Sequence, residues 1–143
     1  MQLILPTTEE ESMEFKESVA EKHGQSADVF PSWSYGYGVT NGSGEIIFGV
    51  VLEAFHSKSD ILGHLYGDNP RVFFNTALVK KMMAVPFTHP FNARRATLMI
   101  HSKRRRIIRT AKLMGFEEEG IMKDHFEDDD AVVLRCLAPV VGG

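Results

Sequence analysis

The feature that most constrains this chain is a change of hydrophobic rhythm after Gly67. Before that point the sequence is punctuated as hairpins. Ser34 to Thr40 is rich in aromatic and β-branched residues, Asn41-Gly42-Ser43-Gly44 is turn chemistry, and Glu45 to Phe55 is a long β-prone run. After a polar loop, Ser57 to Asp60, a further strand is expected over Ile61 to Gly67. Beyond it, helix and strand alternate. Asn69-Pro70 places an N-cap residue before a proline at the first helical position. Phe74, Ala77, Leu78, Met82 and Val85 then fall on one apolar stripe, which Pro86 and Pro90 end. Arg95 to His101 alternates as a half-buried strand does. Arg104 to Met114 reads as a helix with Ile107, Ile108, Ala111 and Met114 inward. Glu119 to Glu127 and Ala131 to Leu137 read as two strands joined by Asp128-Asp129-Asp130, a solvated turn. Hairpins require antiparallel pairing and strand–helix–strand crossovers require parallel pairing, so the two halves together imply a mixed sheet with helices packed on its faces.

Upstream, Gln2 to Leu5 is a short strand stopped by Pro6. Thr8-Glu9-Glu10-Glu11 has the form of a capping box, Phe15, Val19 and Ala20 follow at helical spacing, and Gly24 supplies a stop, so a helix is expected over Glu9 to His23. The order is β-α-βββ-α-β-α-ββ, an α/β (α+β) fold whose sheet is mostly antiparallel. With 143 residues and no repeat, linker or low-complexity tract, a single domain over 1–143 is the expectation.

Composition narrows the function classes. Apolar residues at 43% and charged residues at 24% are those of a folded globular chain, and a formal charge of −3 argues against a globally basic nucleic-acid-coating protein. Cys136 is the one cysteine, so no intramolecular disulfide can form. The apolar run at the N-terminus is too short for a secretory signal and no later run is long enough to span a bilayer, so a cytoplasmic protein with no membrane partner is expected. The six histidines show no close ligand spacing with matching carboxylates, and no metal site is expected. On its strand, Cys136 reads as a core residue.

The stretch Arg106-Ile107-Ile108-Arg109-Thr110-Ala111-Lys112-Leu113-Met114-Gly115-Phe116-Glu117-Glu118-Glu119-Gly120, with the element order, resembles the GNAT superfamily of acyl-CoA-dependent N-acyltransferases. The likeness is to members similar to ribosomal-protein N-terminal acetyltransferases, with a flavour of small phage-encoded ones. It covers about Ile61 to Leu137. Within it Gly115 closes a helix, Phe116 packs under the sheet and Gly120 permits a kink into the next strand, which are structural duties.

The resemblance implies acetyl-CoA as cosubstrate and a primary amine as acceptor. The pantetheine arm would run along Ile61 to Gly67, with Leu65 and Gly67 contributing, and the phosphates would lie at the start of the following helix, near Asn69, Arg71 and Asn75. Free amides and the positive end of a helix dipole favour phosphate there. By register, Pro70, Phe73 and Asn75 stand where relatives carry Gln/Arg, Gly and Gly. Arg104 and Arg106 are further phosphate candidates, because the run Lys103 to Arg106 puts cations at a helix start, where they oppose the dipole. His64 and Tyr66 share one side of the fourth strand: His64 is the candidate base and Tyr66 the group that positions substrate or protonates the departing thiolate. Ala111 stands where relatives carry an acidic tyrosine. Ser34 to Gly38 offers a groove wall or a packed hairpin.

Two other readings stay open. One is a catalytically silent protein of this fold acting as a virion or interaction component. The other is a nucleic-acid-binding or -modifying protein using Lys103 to Arg109. A homodimer is compatible with each.

Overall fold

The computed structural model describes residues 1–31, 33–57, 59–67 and 71–138. Seven strands form one sheet: β1 (Gln2–Ile4), β2 (Tyr35–Thr40), β3 (Ile46–Ser57), β4 (Asp60–Gly67), β5 (Arg95–His101), β6 (Glu117–Met122) and β7 (Ala131–Leu137). Their order across the sheet is β1-β2-β3-β4-β5-β7-β6. The pairs β1–β2, β2–β3, β5–β7 and β6–β7 are antiparallel. The helices are α1 (Glu9–Lys22), α2 (Arg71–Phe74), α3 (Thr76–Ala84) and α4 (Arg105–Leu113), with 3₁₀ turns at Ala27–Val29 and Val85–Phe87. The chain separates into two compact units, Met1–Glu53 with Gly63–Met82 and Ala54–Leu62 with Met83–Gly143.

In the first unit α1 begins as its capping box dictates: Thr8 Oγ1 accepts from the Glu11 amide at 3.2 Å. It ends at Gly24, whose φ of 71° lies in the left-handed region that L side chains avoid. Its buried face is Ser12, Phe15, Lys16, Val19 and Ala20. That face comes very close to the sheet, because a β-carbon on Gly36 or Gly49 would meet Ser12 O at 2.5 Å or Val19 Cγ2 at 2.7 Å. Lys16, buried along its whole side chain, lays its stem over Gly36 and donates its ammonium to Glu9 Oε1 at 2.8 Å. The opposite face of β2 meets α3: Tyr37, fully buried, donates its hydroxyl to Met82 O at 3.0 Å. Burial pushes that phenol's pKa well up, as does the Tyr35 phenol beside it.

The second unit is built on β5, β7 and β6, with Leu98, Leu134 and Ala131 sealed inside. Here α4 starts without a side-chain cap of its own from Arg104. Asp129 instead fastens the loop that leads into it: its carboxylate accepts the Ser102 hydroxyl, the Lys103 amide at 3.0 Å and the Asp130 amide at 2.7 Å. The Ser102 bond leads in lowering the Asp129 carboxyl from 3.8 to about 2, helped by both amides and the Lys103 charge. The acidic turn is therefore a fastening and not merely a solvated bend. Gly115, with φ at 108°, closes α4 and Phe116 is buried. The kink expected at Gly120 is a register shift between Glu118 and Gly120.

Two expectations need correction. The helix after β4 is not continuous. It breaks at Asn75, and its inner residues are Val72, Leu78 and Met82, while Phe74 is 82% exposed and Ala77 is exposed as well. The sixth strand starts and ends earlier than expected, at Glu117 and Met122.

Candidate active site on the fourth strand

Alternation along β4 puts His64 and Tyr66 on one face and Leu65 and Gly67 on the other. The first face is organised by the end of α1. His23, the C-cap, brings Nε2 to 3.2 Å from Leu65 O, which requires that nitrogen to carry the proton. Lys22 Nζ sits 5.3 Å from the Tyr66 ring centroid, and the His23 ring approaches the Tyr66 ring edge-on at 6.5 Å. The chain then turns through Ala27–Val29, fastened by Ser26 Oγ accepting from the Asp28 amide, and delivers Phe30. The Phe30 ring lies 5.1 Å from that of His64, inclined by 60°.

Across from His64 stands Glu53 of β3. Glu53 Oε2 is 3.5 Å from His64 Nε2, and the glutamate side chain is 19% exposed. Nε2 is a buried atom with no hydrogen-bond partner, although the His64 side chain as a whole is 34% exposed. Glu53 was invisible in the sequence, where a lone carboxylate following the apolar run Ile46 to Leu52 reads as a strand approaching its end. The available signal was a charged residue that a half-buried strand tolerates only with a partner.

The expected cofactor residues separate. Asn69 lies outside the described residues, as do Asp68 and Pro70. The Leu65 carbonyl is engaged by His23. At Gly67 the space a side chain would take is filled by the Phe48 ring, against which Phe73 packs edge-on at 5.5 Å. Arg71 is exposed at the first residue of α2. Asn75 caps α3, its Oδ1 accepting from the Leu78 amide at 3.1 Å, which uses one amide of that helix start internally. On α4, Arg104 is half-exposed at the N-cap and Arg106 is exposed. Arg105, Arg106 and Arg109 make no ion pair among the described residues.

The remaining candidates are structural. Tyr35 and Tyr37 stack at 5.7 Å and spend their hydroxyls on Pro6 O and Met82 O, so this hairpin is packed. Cys136 is half-buried, and burial raises its thiol pKa. Among the described residues no group of three His, Cys, Asp or Glu is placed to hold a metal ion, and no helix is long and apolar enough to cross a membrane.

No protein-family model matches the sequence, and no curated protein matches it. Solved structures do resemble it. A point mutant of the spermidine N-acetyltransferase SpeG from Vibrio cholerae superposes with a TM-score of 0.71 at 16% identity, over 95% of this chain and 94% of that one. A chimera of the Vibrio cholerae enzyme with hSSAT gives 0.69 at 14% identity over 96% of both chains. The dodecameric Vibrio cholerae enzyme in an intermediate state gives 0.67 at 17% identity, over 95% of this chain and 94% of that one. At such identities the likeness is one of fold.

Proposed function

Since the chain carries the fold of the GNAT N-acetyltransferases, we propose that it is an acyl-CoA-dependent N-acyltransferase that moves an acetyl or related acyl group onto a primary amine, with His64 as base. The observation that supports this reading is the pair His64–Glu53 on β4 and β3: a histidine with one ring nitrogen turned to a carboxylate, on a strand that buries Ile61 and Leu65 on its other face. The amine arrives as an ammonium. His64 takes one proton, and the electron pair left on nitrogen becomes the nucleophile. Acyl-CoA, when bound, supplies the activated carbonyl: the amide C–N bond forms, the thioester C–S bond breaks, and the sulfur leaves with its electron pair and takes up a proton. Tyr66, two residues along the same face, is the group assigned to give that proton, and its oxygen takes back the second proton that the nitrogen sheds once the C–N bond has formed. Rate would come chiefly from alignment and from stabilising the oxyanion.

The donor's phosphates fall to side-chain charge more than to a cradle of amides. Phe48 fills the space at Gly67 and Asn75 takes the Leu78 amide, which leaves Arg71, with Asn69, as the residues assigned to hold them. A calorimetric titration with acetyl-CoA, followed by thiol-release assays over a panel of primary amines, tests the reading. Spermidine heads the panel because the neighbouring structures are spermidine N-acetyltransferases. Saturable binding with amine-dependent thiol release supports it. No heat at millimolar acetyl-CoA removes it.

A second reading is a GNAT-fold interaction protein without catalysis. The internally capped start of α3 and the exposed Phe74 favour it. A chain that ignores acetyl-CoA yet elutes as a stable oligomer, as the dodecameric neighbour suggests trying, would establish it.

A further inference from the structure

A neutral imidazole has one N–H and one bare nitrogen, and which is which decides what a histidine can do. At His64 the structure distinguishes the two. Nε2 is buried, has no hydrogen-bond partner, and faces Glu53 Oε2 at 3.5 Å. Nδ1 makes no hydrogen bond among the described residues and is not among the buried unpartnered atoms, so it reaches solvent. Glu53 has no partner among the described residues other than this ring.

If Nε2 were the bare nitrogen, its lone pair would face a carboxylate in a site 19% exposed on one side and walled by Phe30 on another, with both acceptors unsatisfied. If Nε2 carries the hydrogen, donor faces acceptor, and a small closing motion completes a charge-assisted bond. Such bonds are often long before substrate arrives.

We propose that Glu53 is a positioning residue: its carboxylate holds His64 as the Nε2–H tautomer and thereby leaves Nδ1, the solvent-facing nitrogen, as the proton acceptor. The tautomer stands on geometry. Its use in catalysis rests on the transferase reading above and deepens it. In the transfer step the acceptor's ammonium gives one proton to Nδ1 and keeps the electron pair. The imidazolium so formed holds two N–H groups, and its Nε2–H lies against the Glu53 carboxylate, which balances the new charge. Nothing else in the step changes oxidation state or needs a further reactant.

The test reads the tautomer directly. Protein labelled with ¹⁵N at histidine is examined by long-range ¹H–¹⁵N correlation at about pH 8, above the ordinary imidazole range. The His64 ring is assigned by the signal that disappears in His64→Gln. The expected wild-type result is a single Nε2–H tautomer. In Glu53→Gln, which keeps the volume, the carboxamide can offer its own N–H to Nε2, so the Nδ1–H form should grow. In Glu53→Ala the two forms should mix, and in Glu53→Asp the wild-type pattern should return in part. A wild-type ring protonated on Nδ1 overturns the proposal, and so does a tautomer population unchanged in both Glu53→Gln and Glu53→Ala. The kinetic arm judges the transferase reading separately: loss of Glu53 should lower kcat by about 10²-fold with the acceptor KM little changed. A wild type with the expected tautomer and no transfer to any amine would sink the transferase reading and leave the assignment of Glu53 standing.

Discussion

The ring of Phe48 occupies the space beside Gly67 that a β-carbon there would need, with Cδ2, Cε2 and Cγ all in its path. Phe48 is 1% exposed and held by Phe73, so it has nowhere to retreat. Gly67→Ala should therefore cost about 1–3 kcal/mol, the usual range for overpacking a filled core. Urea unfolding measures it, and Gly67→Ala combined with Phe48→Leu should recover part of the loss relative to Phe48→Leu alone.

Replacing His64 separates chemistry from assembly. His64→Ala should reduce kcat/KM for amine acylation by about 10²- to 10⁴-fold, while acetyl-CoA affinity by calorimetry stays near wild type. An unchanged rate would remove His64 from the mechanism.

Asn75 is the cap of α3. Asn75→Ala should destabilise by about 1 kcal/mol, and Asn75→Asp, which still accepts and adds a charge favoured by the dipole, should restore stability. If Asn75 also lies beside the donor's phosphates, the aspartate variant will be stable but weaker in acetyl-CoA titrations.

Arg105 and Arg106 occupy the first turn of α4 with no partner among the described residues. Arg105→Glu/Arg106→Glu should raise stability by about 0.3–1 kcal/mol per site in low salt, since it turns a clash with the helix dipole into an attraction. A concurrent loss of acetyl-CoA binding would show that the cations serve an anionic ligand. A gel shift of wild type against the same variant tests the nucleic-acid alternative, where three phosphate contacts would give a log–log salt slope of about −2.7.

Asp129 makes an acid limb. Its folded carboxyl lies at about 2, below the unfolded value of 3.8. A depressed carboxylate stabilises the folded state above the unfolded value, and that contribution disappears as pH falls from about 4 towards 2. Asp129→Asn should melt below wild type at neutral pH and converge with it near the acid end. Melting temperatures recorded across that range decide it.

The legible parts of this chain were those where local chemistry and tertiary structure agree. The bounds of β5 and β7 follow from alternation and turn residues, and α1 follows from its capping box and Gly24. The segment after β4 was misread because an apolar stripe through Phe74 and Ala77 presumes one uninterrupted helix. The Asn75 side chain offers the backbone a cap and the helix restarts there, so Phe74 and Ala77 beside the break are exposed while Leu78 and Met82 keep the inward places the stripe gave them. Glu53 was hidden for a different reason. Its partner is eleven residues away in the chain and beside it only once two strands pair, so no spacing rule reports it. His64 could be nominated from its strand; its setting could not.

One consequence concerns the last strand of the sheet. All six residues of β6 are exposed, and among the described residues it has a neighbouring strand on one side only. An open edge of this kind is a template on which further chains can polymerise. Here three consecutive glutamates line it and the ladder slips at the third, Glu119. The side-chain bond from Arg95 lowers the Glu119 carboxyl pKa, and the Arg135 charge adds to it. The edge thus carries its own guard against fibril growth, and the arginines that keep it charged are part of that guard.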